Sequence, residues 1–119
     1  MIGIDLIKTE RVKGSIERFG DKFLLRYLSP DEISYIKNHK TAAGFWAAKE
    51  ACSKALGCGI GSECGFHDII LSKTHKGAPL VTLIPALMKK YAIEDMSLSI
   101  THDGEYAIAV VAIEGKKKP

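Results

Sequence analysis

Two oppositely charged side chains stand four residues apart in an otherwise alanine-rich stretch, FWAAKEACSKALG, which covers residues 45–57. Trp46, Glu50 and Lys54 recur at intervals of four, so a helix would place them along one stripe. When exposed, a glutamate four residues before a lysine is a favourable pair, but it contributes only about 0.2–0.5 kcal/mol. Taken alone, this stretch therefore indicates a structural ion pair more than a site.

A further carboxylate, Asp5, interrupts the apolar segment at residues 2–7, IGIDLI. The alternation of this segment predicts a strand that places Asp5 on the face opposite Ile2 and Ile4. A buried carboxylate is costly unless it is paired or binds a metal, although Asp5 could instead cap the helix that follows. Asp5 and Glu50 together supply two hard oxygen ligands, and magnesium usually takes one or two carboxylates beside water and substrate phosphates. The two carboxylates therefore indicate chemistry on a phosphate ester.

His102 and a glycine-rich loop are the other candidates for a site. His102 ends an alternating segment, 97–102, directly before Asp103-Gly104, which is a strong hairpin signal. It could pack at the end of a strand, or it could bind a ligand. The loop GCGIG at 57–61 either ends a helix and connects it to the next element, or lets the backbone approach a ligand closely. It is not a phosphate-binding P-loop, because no Gly-Lys-Ser/Thr follows and no helix begins there.

An α+β domain is predicted to position these residues. The predicted elements are, in chain order, a strand at 2–7, helices at 10–18, 30–39 and 42–56, strands at 68–71 and 80–83, a helix at 86–92, and strands at 97–102 and 106–113. Thr9 and Ser29 are predicted to cap the first two helices, and Gly57 to end the third. The last strand is almost wholly apolar, which predicts a central strand covered on both faces. We expect one domain, 1–119, with a disordered tail at 116–119.

The chain as a whole has the composition of an ordinary soluble protein. It contains 119 residues with a net charge of +3, and no stretch approaches the roughly 20 apolar residues of a membrane span. The N-terminal segment does not resemble a secretory signal, so a cytoplasmic location is expected. Three cysteines, Cys52, Cys58 and Cys64, do not match the paired spacings of zinc sites, and we expect free thiols. With no strongly basic face and no aromatic-rich pair of strands, we expect neither a nucleic-acid nor a membrane partner.

Three separated motifs resemble those of the holo-[acyl-carrier-protein] synthases, the small bacterial class of 4′-phosphopantetheinyl transferases. They are Gly3-Ile4-Asp5-Leu6 near the start, Trp46-Ala47-Ala48-Lys49-Glu50-Ala51 followed by Lys54-Ala55-Leu56-Gly57 in the middle, and Ser99-Ile100-Thr101-His102 near the end. The middle motif is the most specific, and the resemblance covers essentially the whole chain. It implies the α+β 4′-phosphopantetheinyl transferase fold, with a mostly antiparallel sheet packed against helices.

The resemblance implies transfer of the 4′-phosphopantetheine arm of coenzyme A to a serine of apo-acyl carrier protein, in fatty acid biosynthesis, with release of adenosine 3′,5′-bisphosphate. It also implies a magnesium-dependent enzyme and a homotrimer whose active sites lie at subunit interfaces. Asp5 and Glu50 would hold the metal, and with Lys54 they would form the catalytic set. The implied coenzyme A contacts are Lys49, Lys54, Gly57, Pro79 and His102, of which the last two come from a neighbouring subunit. The serine proton would leave either to Glu50 or to a metal-bound water, and the residues do not choose between them.

One position departs from the family pattern. Many relatives carry an arginine where this chain has Phe45, which puts a contact to phosphate or to a partner subunit in doubt. Lys49 is the candidate to compensate in part for that missing charge.

A basic surface is predicted on the first helical region. Residues 8–26 contain six bases and three acids. The family docks its acidic carrier protein there, which implies contacts from Arg11, Arg18, Lys22 and Arg26. Such charges raise association rates more than final affinity. For this surface, the alternative is a solvated helix face. For the function of the whole chain, the alternatives are a basic non-catalytic docking module for an acidic protein partner and a metal-dependent phosphodiesterase that uses water as the acceptor.

Overall fold

Regular secondary structure accounts for most of the chain. The computed structural model describes residues 1–116, so the predicted disordered tail lies outside the described residues from position 117 onward. In chain order the elements are β1 (Ile2–Lys8), α1 (Thr9–Phe19), α2 (Asp21–Tyr27), α3 (Pro30–Ile33), α4 (His39–Ala55), β2 (Ile69–Lys73), β3 (Pro79–Leu83), α5 (Pro85–Lys90), β4 (Ile93–Asp103) and β5 (Tyr106–Gly115). Within residues 1–116, none of the helices has the length and apolar character needed to cross a membrane.

The strands form two antiparallel sheets. β1, β5 and β4 lie side by side in that order, so β5 is central while β1 and β4 are the edges. β2 and β3 form a separate two-stranded sheet. The register pairs Asp5 with Ala109 and Ala109 with Ile100, so these three side chains point to one face of the larger sheet. The predicted α+β class, with antiparallel strands packed against helices, is confirmed.

Helix α4 covers the inner face of the three-stranded sheet, and small residues let the two backbones approach closely. A β-carbon placed on Gly3 would stand 1.9 Å from the carbonyl oxygen of Ala51 and 2.5 Å from the amide nitrogen of Ala55. Both alanines are buried in the core. The small residues on this side of the helix allow the close approach, which also requires a glycine at the facing strand position.

A fully buried ion pair ties α4 to α3 and β2. Lys49 Nζ donates to Glu32 Oε1 at 2.8 Å and to the carbonyl oxygen of Phe66 at 3.0 Å. Glu32 also accepts the backbone N–H groups of Ser29, at 2.8 Å, and of Leu71, at 2.7 Å. Both charges are therefore compensated by partners, which is the condition under which a protein can bury them.

The helices of the first half differ from the predicted boundaries. α2 is not predicted from the sequence, and α3 ends at Ile33 rather than at His39. A second N-cap explains the shortening, because Asn38 Oδ1 accepts the amide hydrogens of Lys40 at 2.9 Å and of Thr41 at 3.2 Å. A new helix, α4, therefore begins at His39.

The predicted helix ends have mixed outcomes. Ser29 caps α3 as predicted, since its hydroxyl oxygen accepts the amide hydrogen of Glu32 at 3.2 Å. Thr9 does not cap α1; its hydroxyl donates to the carbonyl oxygen of Glu105, in the β4–β5 turn, at 3.2 Å. That prediction is wrong because the hairpin turn packs beside the helix start and offers the hydroxyl an acceptor. Gly57 follows α4 with a φ of 81°, as expected for a glycine just past a helix end.

The outer face of the three-stranded sheet is uncovered in the described chain. Ile2, Ile4 and Leu6 on β1 are 74%, 58% and 55% exposed. Val110, which pairs with Ile4 on β5, is 37% exposed. The central position predicted for the last strand is confirmed, but the prediction that both of its faces are covered is wrong, because α4 covers only the inner one.

Candidate active site

An edge strand and the central helix bring Asp5 and Lys54 together. Asp5 lies on the inner face of β1, and Lys54 lies in the last turn of α4, which crosses that face. Lys54 Nζ donates to Asp5 Oδ1 at 2.8 Å and to the carbonyl oxygen of Ile4 at 3.3 Å. The Asp5 side chain is 14% exposed and that of Lys54 is 51% exposed. The carboxylate is thus mostly enclosed, while the lysine remains accessible to a ligand.

Glu50 stands one turn before Lys54 on α4 and interacts with the same carboxylate. Burial raises the pKa of Glu50, and the Asp5 carboxylate raises it further, while Lys54 opposes both effects. Within residues 1–116, the ion pair of Lys54 is made with Asp5 rather than with Glu50. Asp5, Glu50 and Lys54 therefore form a group of two carboxylates and one ammonium, rather than an intrahelical ion pair alone. With all three ionised, the group has one net negative charge.

This donor set fits a magnesium ion. Magnesium usually binds through one or two carboxylates and takes its other ligands from water and substrate phosphates. Asp5 and Glu50 meet that requirement. Burial is the larger cause of the raised pKa of Glu50, and the smaller one, repulsion from Asp5, is what a cation would relieve. In the part of the chain that the structure describes, no group of three or more metal-binding side chains occurs, so other oxygens would have to complete the coordination.

A glycine-containing loop folds back onto the end of α4. Gly57 and Gly59 have positive φ angles of 81° and 66°, which side-chain-bearing residues rarely adopt. The carbonyl oxygen of Ser53 accepts the amide hydrogens of Cys58 at 3.3 Å and of Gly59 at 3.2 Å. The amide of Gly57 donates to the carbonyl oxygen of Lys54 at 3.0 Å. The structure thus brings Gly57 to the same end of the helix as the lysine.

The three cysteines are free thiols, as predicted. Cys52 and Cys64 are fully buried, and burial raises the pKa of each to about 12. Neither is a thiolate at neutral pH, so neither is a nucleophile, and both serve to pack the core.

His102 and Pro79 line a separate cavity of about 190 Å³ at the β4 edge. The wall of this cavity also includes Thr41, Gly44, Phe45, Lys73, Gly77 and Ile100. His102 Nε2 lies 2.9 Å from the carbonyl oxygen of Lys40, so that nitrogen carries a proton and donates it. The contact orients an exposed ring toward the cavity wall rather than packing it within the strand end.

Asp5 and His102 lie at opposite edges of the three-stranded sheet, and Pro79 lies beside His102 on β3 of the other sheet. Asp5 is on β1 and His102 is on β4, with β5 between them. Helix α4 contacts the two edges at different positions. Gly44 lies beside β4, since a β-carbon placed on it would stand 3.4 Å from His102 Nε2, and Ala51 lies against Gly3 of β1. Seven residues of helix separate these two contacts by roughly 10 Å along its axis. One chain alone therefore does not bring Pro79 and His102 to the carboxylates.

Lys49 lies in neither group, which corrects both predictions made for it. Its side chain is 0% exposed and is engaged by Glu32. Burial lowers the pKa of Lys49, and Glu32 opposes that shift. Because its ammonium group does not reach the surface, it is not positioned to contact coenzyme A or to replace a charge missing at Phe45. Phe45 is itself buried, and Lys73 Nζ lies 5.8 Å from the centre of its ring.

The four predicted docking residues divide between two helices. Arg11 and Arg18 lie on α1, and Lys22 and Arg26 lie on α2. Phe23 lines both a cavity of about 180 Å³ that contains Arg11 and one of about 220 Å³ that contains Lys22 and Arg26. Basic side chains thus flank an aromatic ring on this surface.

Sequence reasoning missed the aromatic residues of this surface. Phe19 is 54% exposed beneath the guanidinium of Arg18, which lies 5.2 Å from its ring centre. Trp46 lies in the Arg11 cavity, where its ring stacks on Phe23 with centroids 6.0 Å apart. The signal that could have identified this surface is the segment DKFLLRY, which forms α2. It has an acid in its first turn and a base in its last turn, a charge pattern that favours a helix.

The family of the chain follows from comparison with known proteins. The model of the 4′-phosphopantetheinyl transferase superfamily matches residues 1–111. The chain belongs to this superfamily, and the fold and the three motifs described above agree with that membership. Within the superfamily, its relatives are the holo-[acyl-carrier-protein] synthases, as the motifs predict. The Sulfurimonas denitrificans protein of that name is 63% identical over 114 residues, covering 96% of this chain and 94% of the relative.

Solved structures of the same kind share the fold. Holo-[acyl-carrier-protein] synthase of Helicobacter pylori in complex with coenzyme A has a TM-score of 0.93 at 49% identity, covering 96% of this chain and 100% of that chain. The Bacillus anthracis synthase in complex with CoA (3′,5′-ADP) has a TM-score of 0.81 at 35% identity, covering 97% and 96%. Both structures carry coenzyme A or part of it on this fold.

Proposed function

We propose that this protein transfers the 4′-phosphopantetheine arm of coenzyme A to a serine hydroxyl of an apo-acyl carrier protein. The observation that carries the proposal is the group of Asp5, Glu50 and Lys54, which stands on a chain 63% identical to a holo-[acyl-carrier-protein] synthase. Two relatives solved with coenzyme A or 3′,5′-ADP support coenzyme A as the donor.

In the proposed reaction the serine oxygen attacks the phosphorus that carries pantetheine. The bond from that phosphorus to the bridging oxygen breaks, and adenosine 3′,5′-bisphosphate leaves with the electron pair. The carrier serine is then linked to phosphopantetheine through a phosphodiester. Glu50, which stands one turn before Lys54 and close to Asp5, takes the serine proton as the general base. Lys54, whose amine is half exposed, offsets the charge that develops on the leaving group.

We assign a magnesium ion to Asp5 and Glu50. When bound, such an ion neutralises charge on the pyrophosphate. The support is the chemistry of the donor set, two hard carboxylates close enough that Asp5 adds to the effect of burial in raising the pKa of Glu50. Asp5 has a second task, since its 2.8 Å contact holds the amine of Lys54 at the site.

We propose that three copies of the chain assemble so that the β4 edge of one meets the β1 edge of the next. One support is the division of the site between opposite sheet edges, because Pro79 and His102 lie far from the carboxylates of their own chain. The other is the uncovered outer face with Ile2, Ile4 and Val110, which is unfavourable in water. A head-to-tail contact forms a ring where the rotation between successive copies closes, and we propose closure at three copies. Pro79 and His102 would then hold the adenosine 3′-phosphate end of coenzyme A bound to a neighbouring copy.

We propose that the carrier docks on the surface of α1 and α2. Arg11, Arg18, Lys22 and Arg26 would face its acidic side chains, and the aromatic ring of Phe23 between them would take apolar contact. We place the reaction in the cytoplasm and in fatty acid biosynthesis, and the three reduced thiols accord with a reducing compartment.

Mass spectrometry of a carrier protein tests the proposal. The chain is incubated with coenzyme A, magnesium and an apo-acyl carrier protein, and the carrier mass is measured. A gain of one phosphopantetheine, matched by released adenosine 3′,5′-bisphosphate, is expected. A carrier whose acceptor serine is replaced by alanine is the control, and a chelator reports the metal requirement. Cleaved coenzyme A with an unmodified carrier would identify a phosphodiesterase, and binding without chemistry would identify a docking module.

A further inference from the structure

Ser53 places a buried hydroxyl between two residues of the proposed site. It lies on α4 between Glu50 and Lys54, and it is 0% exposed. Its hydroxyl donates to the backbone carbonyl oxygen of Glu50 at 2.7 Å. In the regular pattern of an α-helix, that carbonyl also accepts the amide hydrogen of Lys54. One side chain therefore bonds to the peptide oxygen that joins the turn of Glu50 to the turn of Lys54.

The stability of the helix does not explain a hydroxyl at position 53. Ala51 and Ala55 are buried on the same helix, so small apolar side chains fit in this region. Alanine is the best helix former, whereas the hydroxyl of serine competes with the helix backbone for hydrogen bonds. Since helix formation favours alanine over serine, the hydroxyl of Ser53 indicates a task in the site.

The direction of the Lys54 side chain indicates what that task is. A glutamate four residues before a lysine favours an intrahelical ion pair. Lys54 Nζ nevertheless donates to Asp5 Oδ1 at 2.8 Å and to the carbonyl oxygen of Ile4 at 3.3 Å. A serine hydroxyl that bonds to a carbonyl of the preceding turn often bends a helix at that point. A bend between Glu50 and Lys54 would turn the lysine away from the glutamate and toward β1.

The turn that follows is held in place by the loop. The carbonyl oxygen of Ser53 accepts the amide hydrogen of Cys58 at 3.3 Å, and that of Lys54 accepts the amide hydrogen of Gly57 at 3.0 Å. This pair of bonds is the pattern of a Schellman motif. Because the end of the helix is closed in this way, a bend made at Ser53 is passed on to Lys54 rather than lost in a frayed end.

Resting on the proposed function, we propose that Ser53 is a positioning residue whose hydroxyl keeps Lys54 on Asp5 and leaves the carboxylate of Glu50 free of the lysine. Glu50 can then accept the proton of the carrier serine, since a carboxylate in direct contact with an ammonium group is a weaker base. Ser53 touches no substrate and acts through the helix backbone. With alanine in its place, the helix would straighten and Lys54 would pair with Glu50.

The test separates activity from stability. The Tm, the kcat and the KM values for coenzyme A and carrier are measured for the wild type, Ser53→Ala and Ser53→Thr. Threonine keeps a hydroxyl that can bond to the same carbonyl, but it adds a methyl group at a buried position. Cys52→Ala shortens a fully buried side chain one position away and serves as the control.

The expected changes in kcat and Tm go in different directions. Ser53→Ala should lower kcat about tenfold, a part of the roughly 10²–10⁴-fold that a general base contributes, with unchanged KM values. Its Tm should equal or exceed that of the wild type. Ser53→Thr and Cys52→Ala should instead lower Tm and keep kcat. A normal kcat in Ser53→Ala, or a loss of kcat that follows Tm across the variants, would overturn the assignment.

Failure of the proposed function would give a different outcome, because the wild type itself would then modify no carrier. Crystal structures of the wild type and of Ser53→Ala decide the matter without turnover. Movement of Lys54 Nζ from Asp5 to Glu50 in the variant would support the positioning role. A contact with Asp5 that stays at 2.8 Å in the variant would reject it.

Discussion

Replacing Lys49 by methionine should weaken the fold and leave coenzyme A binding intact. The ammonium of Lys49 makes two hydrogen bonds, to Glu32 Oε1 at 2.8 Å and to the carbonyl oxygen of Phe66 at 3.0 Å, and both side chains of the ion pair are almost fully buried. Methionine fills most of the space but leaves the carboxylate of Glu32 without its cation. Removing one partner of a buried pair typically costs about 3–5 kcal/mol.

The lower end of that range is expected here. Glu32 retains the amide hydrogens of Ser29 and Leu71, at 2.8 Å and 2.7 Å, which still compensate part of its charge. A loss of about 3 kcal/mol is a large share of the roughly 5–15 kcal/mol by which a domain is stable. In a chain of 119 residues it corresponds to a fall in Tm of roughly 10 °C.

Lys54→Met is the matched control, because it makes the same replacement on the same helix. The pair of Lys54 with Asp5 is half exposed on the lysine side, so its loss should cost about 1 kcal/mol or less. Thermal unfolding by circular dichroism and the KM for coenzyme A, measured well below Tm, are compared for the two variants. Lys49→Met should lose stability with an unchanged KM, and Lys54→Met should lose activity with a nearly unchanged Tm. If Lys49→Met instead keeps its Tm and raises the KM, Lys49 acts at the site and the reasoning is refuted.

Four other predictions concern the carboxylates, the docking surface and the assembly. Glu50→Gln should lower kcat at saturating magnesium by about a hundredfold or more in the carrier mass assay, and near-normal turnover would contradict the metal assignment. The same variant should unfold at a higher temperature than the wild type in chelator at pH 7. Because the pKa of Glu50 is raised in the folded state, the wild type keeps its full stability below pH 4.5, the ordinary pKa, and loses stability as pH rises through the folded pKa. The difference in unfolding temperature between the variant and the wild type should therefore vanish near pH 4. A difference that does not change with pH would argue against this. Arg18→Glu should raise the KM for the carrier more than that for coenzyme A, with a smaller effect at high salt, whereas unchanged carrier kinetics at low salt would move the docking surface elsewhere. Mixed and reassembled Glu50→Ala and His102→Ala chains should recover activity that neither parent has, and exchange verified by a mass tag without recovery would count against a shared site.

Local sequence signals predict much of the fold and the core of the site. Alternation at 2–7 places Asp5 on the face opposite Ile2, and the four-residue interval places Glu50 and Lys54 along one stripe. Each of these features depends on backbone periodicity alone, which a short window of sequence contains. The two residues that meet at 2.8 Å, Asp5 and Lys54, are therefore both identified before the fold is known.

Long-range partners are what the sequence does not contain. Lys49 and Lys54 belong to the same motif, yet one is buried against Glu32 and the other lies at the surface beside Asp5. The difference arises from which side of α4 each residue occupies and from a carboxylate 17 positions earlier in the chain. Similarly, the helix predicted at 30–39 ends at Ile33, and Asn38 caps a new helix that begins at His39.

The position of the carboxylates follows from how closely α4 can approach β1. Gly3 lies two residues before Asp5 on the same face of the strand, and any side chain there would collide with the backbone at Ala51. The glycine lets the helix axis approach β1, and Lys54 then reaches Asp5 with a single direct contact. Because β1 is an edge strand, this contact stays open to solvent on one side, where a second chain and a substrate can enter. The same edge position leaves the apolar outer face of β1 uncovered. Close helix packing and an incomplete sheet are therefore two parts of one arrangement, which in the proposed trimer would hold the carboxylates in one copy and take the remaining wall of the site from another.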